Sequence, residues 1–136
     1  MVRRSLPLLL LMVALSITVF AGVIREETLN ATSDGYNITI RWTSDNETGV
    51  VKYILERRSG TSGNFMPIVE LQPRGNNSSY QFVDENAFRM VASLYQYRLR
   101  VDFSGGSAPM YFGPIAVVHK TSDVRATWGS IKAMFR

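Results

Sequence analysis

LYQYRLRVDF, residues 94–103, alternates without a fault for ten residues. Tyr95, Tyr97, Leu99, Val101 and Phe103 fall on one side of an extended chain, and Gln96, Arg98, Arg100 and Asp102 on the other. A helix would mix these two sets, because its side chains repeat every 3.6 residues rather than every two. The stretch is therefore a strand with one buried and one wet face. Its aromatic and β-branched content suits a pleated, half-buried surface.

The same period extends in both directions. YNITIRW (36–42) places Tyr36, Ile38, Ile40 and Trp42 on one face, and VVKYILERR (50–58) does the same with Val51, Tyr53 and Leu55. FMPIVEL (65–71) reads as a shorter strand that Pro67 confines to an edge or a bulge, since proline cannot donate to a ladder. SYQF (79–82) pairs Tyr80 with Phe82, and AFRMVAS (87–93), less regular, reads as a crossing between sheets. MYFGPIAVVH (110–119) is a last strand interrupted at Gly113-Pro114, and VIREETLNAT (23–32) supplies a first one. TSDNETG, SGTSGN, QPRGNNSS and SGGSAP separate them as turns. Strands with turns about every ten residues predict an all-β, antiparallel seven-strand sandwich over 22–119.

The chain has 136 residues, 46% of them hydrophobic and 19% charged. Residues 1–21 stand apart from the sandwich. Arg3 and Arg4 precede an apolar run from Leu8 to Phe20, and Ala21 offers a cleavage point, the pattern of an export signal. An uncleaved membrane anchor is the competing reading. Two of the 15 Lys and Arg lie in this leader, leaving 13 against 11 acidic residues, a net charge of about +2. The remaining charges are scattered, which argues against a nucleic-acid partner. There is no cysteine, so thiol chemistry, Cys-zinc sites and disulfides are excluded. A domain of this size can be held by its core alone.

Certain residues resemble those of the fibronectin type III family. They are Trp42 in the second strand, Tyr53 and Leu55 in the third, and the Tyr95-x-Tyr97-x-Leu99-x-Val101 run in the sixth. The resemblance implies a sandwich of the fibronectin type III or immunoglobulin-like class in which Trp42, Tyr53, Leu55, Tyr95, Tyr97 and Leu99 are core residues. It matches Tyr95 to the tyrosine corner. Met90–Ser93 and Gly113-Pro114 depart from the family pattern. All of the matching positions are packing positions, so what the resemblance implies is a binding or scaffold module.

Signals for chemistry are sparse. His119 is the single histidine and reads as a solvated or capping residue. Without Cys or a second His, neither a zinc centre nor a Ser-His-Asp relay can be assembled in the usual way. Asp45 with Glu47 and Asp84 with Glu85 are the acidic clusters, read as solvated turn residues or a weak calcium site at opposite ends of the sandwich. No cofactor and no catalytic activity are expected. Five of seven asparagines, Asn30, Asn37, Asn46, Asn76 and Asn77, lie in N-x-[ST] triplets and are candidate glycosylation positions.

Residues 120–136 form a tail of different character. Val124, Trp128, Ile131 and Phe135 share one helical face, with Arg125 and Lys132 elsewhere on the wheel. A helix this short needs a surface to lie on. The choices are its own sandwich, a protein partner or second copy, and, more weakly, a membrane. The expectation is an exported module for adhesion or scaffolding. The alternative is a subunit of a filament or envelope assembly, joined through its N-terminal segment and its tail.

Overall fold

The computed structural model describes residues 22–86 and 94–120. The expected export signal, the expected crossing at 87–93 and tail residues 121–136, with Arg125, Trp128, Ile131, Lys132 and Phe135, lie outside the described residues.

The described residues form seven strands: β1 Ile24–Ser33, β2 Ile38–Ser44, β3 Val50–Ser59, β4 Met66–Leu71, β5 Ser79–Asp84, β6 Leu94–Phe103 and β7 Met110–Val118. They make an antiparallel β-sandwich, with one sheet in the order β1-β2-β5 and the other in the order β4-β3-β6-β7. Trp42, Tyr53, Leu55, Tyr95, Tyr97, Leu99 and Val101 are no more than 1% exposed. Burying an aromatic or aliphatic side chain to this extent contributes about 1.5–3 kcal/mol each. The Trp42 ring stacks on Tyr80 at 5.1 Å, and Tyr53 tilts against both.

The register shows how the alternation is used. Tyr53 lies opposite Val101, and Leu55 opposite Leu99, so the inward set of β3 meets that of β6. Val51 does not join it. A register shift between Val50 and Lys52 turns Val51 outward, 47% exposed, and leaves Val50 against the core. Tyr36 is also outside the core, at 41% exposure. The Asp34 side chain accepts the N–H groups of Tyr36 and Asn37, which holds that segment as a turn until β2 begins at Ile38.

Gly113-Pro114 does not end the last strand. β7 pairs with β6 on both sides of it, Phe112 with Leu99 and Ile115 with Tyr97, and a register shift absorbs the extra residue. Gly113 takes φ +97°, and the peptide to Pro114 is cis. β4 is an edge strand, with a bulge near Pro67. In β1 the four residues Glu26–Leu29 lie between pairs that flank only Trp42 on β2, and Leu29 turns into the core.

Three connections meet at one pole. Ser44 donates to the Gly75 carbonyl, the Glu47 N–H to Asn76, and the Ser104 N–H to the Gly49 carbonyl. β1 starts there, because Asp45 and Asn46 donate to the carbonyls of Val23 and Gly22. β7 ends at the other pole, where His119 Nδ1 lies 2.7 Å from Ser33 Oγ.

Candidate interaction surface

One member of each acidic cluster, Glu47 and Asp84, is not the solvated turn residue expected from the sequence, whereas Asp45 is half-buried and Glu85 exposed. Glu47 is 8% exposed and Asp84 2%. Glu47 Oε1 accepts the hydroxyls of Tyr53, at 2.9 Å, and Tyr80, and Oε2 accepts the Gly75 N–H at 2.7 Å. Burial alone would raise the Glu47 pKa. The Tyr80 hydroxyl, the Gly75 N–H and the Tyr53 hydroxyl outweigh it and hold the carboxylate below its ordinary range. Burial and the adjoining carboxylate push Tyr53 and Tyr80 upward. At the far pole Asp84 Oδ2 accepts from Arg57 and, at 2.9 Å, from the Tyr97 hydroxyl. Burial and Asp84 push Tyr97 upward as well.

Each carboxylate thus spends its acceptors on internal donors, tying a loop or strand end to a core tyrosine. The pairing Ile38↔Asp84 at one end of β2, with Ser44 beside Glu47's loop at the other, keeps the two apart. Among the described residues no group of three or more His, Asp or Glu side chains comes together. His119 is not solvated either, being 3% exposed with its ring edge-on to Tyr95 at 6.3 Å.

The sequons divide. Asn46, Asn76 and Asn77 are exposed at the three-loop pole, whereas Asn30 lies on β1 and the half-buried Asn37 precedes β2. Asn46 Oδ1 accepts from the Thr48 N–H and hydroxyl, and Asn77 Oδ1 accepts from Arg25 at 2.7 Å. Asn30 donates its amide to the Thr28 carbonyl.

The most organised surface is the outer face of the four-stranded sheet. The outward residues of β6 that the alternation left wet are not loose there. The Arg98 guanidinium lies 4.3 Å from the Phe65 ring centre and 4.4 Å from that of Tyr111, and Arg58 covers Phe65 at 4.5 Å. Arg98 Nε donates to Glu56 at 2.8 Å, and Arg58 Nε to Gln96 at 2.7 Å. Beside them Arg100 donates to Asp102 and Lys52 to Glu70. A row Tyr111–Arg98–Phe65–Arg58 therefore crosses the sheet from β7 to the β3–β4 connection. Its members already hold their rotamers, so contact with another molecule costs less side-chain entropy. A planar guanidinium between two rings also combines the residue types that dominate binding energy at protein interfaces.

Phe65, Tyr111, Arg58 and Arg98 were not singled out by the sequence. The available signal was the arginine at alternate outward positions of β6, but their ring partners stand on other elements, and only the register brings them together. Among the described residues no helix is long and apolar enough to cross a membrane. Comparison with protein-family models, curated proteins and solved structures returned no match.

Proposed function

We propose that this chain is an exported, non-enzymatic β-sandwich module of the fibronectin type III kind that acts through protein–protein contacts. In this reading the outer face of β4-β3-β6-β7 is the binding surface. One observation carries it: Arg98 is held between Phe65 and Tyr111 while Glu56 accepts its Nε. A surface arginine with no role in recognition has little reason to be ordered on three sides. The sheet orders β1-β2-β5 and β4-β3-β6-β7, with Trp42 and Tyr95 in the core, support the family assignment.

A photo-crosslinking residue at position 111 tests this in the native host. Attachment to one discrete protein, lost in Arg98→Lys and absent from a probe at Thr39 on the other sheet, is the expected result. Equal labelling from both faces, or none from position 111, overturns it.

A second reading, the assembly subunit, is favoured by the course of the chain. β1 begins at the three-loop pole and β7 finishes at the opposite one, an arrangement suited to head-to-tail contacts that propagate. Removal of residues 121–136 discriminates. Loss of assembly with an intact fold supports this reading, and unchanged assembly removes it.

A further inference from the structure

Four strands form sheet edges, and three of them are blocked. β4 carries Pro67 and a bulge. β1 is broken by the four-residue bulge at Glu26–Leu29, and β7 holds Pro114 beside a register shift. Prolines, bulges and charges at such places keep unpaired ladders from adding strands of another chain. β5 has none of these. Its six residues pair with β2 in unbroken register from Ser79 to Asp84. They include no proline, glycine, lysine or arginine, and the one charge, Asp84, is held by Arg57 and Tyr97. Among the described residues nothing pairs with its outer side.

The side of the sandwich along this edge is open. One groove of about 440 Å³ runs beside Leu71, Arg74 and Tyr80, and another of about 410 Å³ beside Ile68, Phe82 and Glu85. Arg74 lies over Tyr80, its guanidinium 4.6 Å from the ring centre, and is exposed at the start of the strand. Glu85 is exposed at its end.

We infer that β5 pairs with β5 of a second copy, antiparallel about a two-fold axis, to form a continuous six-stranded sheet β1-β2-β5-β5-β2-β1. Antiparallel neighbours point the same way, so self-pairing must oppose residues of one face. Centring on Phe82 satisfies this and sets Ser79 opposite the partner's Glu85. That brings the cation at the start of each strand beside the anion at the end of the other. The charges of β5 are thus arranged for an antiparallel copy of itself, whereas a parallel neighbour would set like against like. An isologous contact of this kind closes after two copies. It is independent of the outer-face surface, which lies on the other sheet.

The absence of cysteine makes the test direct. In the full-length protein, Gln81→Cys and Val83→Cys, which this register sets opposite each other, form a mixed disulfide under mild oxidation much faster than Gln81→Cys does with Ala116→Cys, which lies on β7. Sedimentation equilibrium shows a dimer that Arg74→Glu or Glu85→Arg weakens at least about tenfold, equivalent to about 1.4 kcal/mol. The two changes combined restore it. A monomer at every concentration overturns the inference, whether residues 121–136 or another protein covers the edge. So does a dimer in which the double reversal is no better than the single ones, or in which Gln81→Cys cross-links to Val83→Cys no faster than to Ala116→Cys.

Discussion

The Tyr53 hydroxyl donates to Glu47 Oε1 at 2.9 Å, joining a fully buried ring of β3 to a carboxylate of the loop before it. Because the folded state holds Glu47 below its ordinary value of 4.5, the carboxylate contributes stability in full above that value. The contribution falls as pH drops through the lower, folded value. Glu47→Gln keeps the shape but halves the acceptor capacity for Tyr53, Tyr80 and Gly75. We expect a loss of about 1–3 kcal/mol at pH 7 in urea unfolding. The gap between wild type and variant should narrow steadily below pH 4.5.

At the other pole the same device has a cation in it. Tyr97→Phe removes one donor from Asp84 but leaves Arg57, and should cost about 1 kcal/mol. Arg57→Ala leaves a buried carboxylate with only neutral donors, the Tyr97 hydroxyl and the Asn86 N–H, and should cost more, about 2–4 kcal/mol. Thermal unfolding of the two variants orders them, and the reverse order would mean that the Tyr97 hydrogen bond, not the Arg57 charge, contributes most to holding Asp84.

Gly113 has φ +97°, and a Cβ there would meet the Tyr97 carbonyl oxygen and the Ile115 nitrogen at 3.1 Å. Both are backbone atoms of the β6–β7 ladder and cannot step aside cheaply. Gly113→Ala is expected to destabilise by about 1–3 kcal/mol. Gly63→Ala has a similar φ but open space around it, and should cost clearly less in the same chemical denaturation series.

Arg98→Lys retains a charge for Glu56 but not a plane for Phe65 and Tyr111. Tyr111→Ala removes a ring that is 48% exposed. Each should shift stability by no more than about 1 kcal/mol. Arg98→Lys should abolish attachment of the protein cross-linked from position 111, and Tyr111→Ala should abolish co-purification of that same protein with the chain. A variant that loses more than this in calorimetry would place these residues in the fold rather than in recognition.

The alternation of residues 94–103 was a sufficient guide to the sandwich because β6 is covered on its inner face along its whole length. The same rule failed at Val51 and Tyr36, where a register shift and the Asp34 turn change the facing of one residue. Neither is visible in a local pattern. Glu47 and Asp84 were misread for a related reason. A polar loop residue looks the same in sequence whether it turns outward or inward, and the hydroxyl of Tyr80 that meets Glu47 is 33 positions away. The outer-face row was illegible because each guanidinium and its rings come from different elements, with Phe65 in the connection before β4.

The chain enters the sandwich on β1 at one pole and leaves it on β7 at the other, and this has a mechanical consequence. Tension applied through the two ends runs along both strands, so their ladder hydrogen bonds are loaded in shear and must yield together. In β1 that resistance is divided. Ile24 and Arg25 hold Ser44 and Thr43, and Asn30–Ser33 hold Arg41–Ile38, with the bulge Glu26–Leu29 between them tied to β2 by the Thr28 hydroxyl, which accepts the Thr43 N–H, rather than by ladder pairs. Pulled in a force spectrometer, the short outer clamp should slip first, and the protein should lengthen by a small step before the sheets separate.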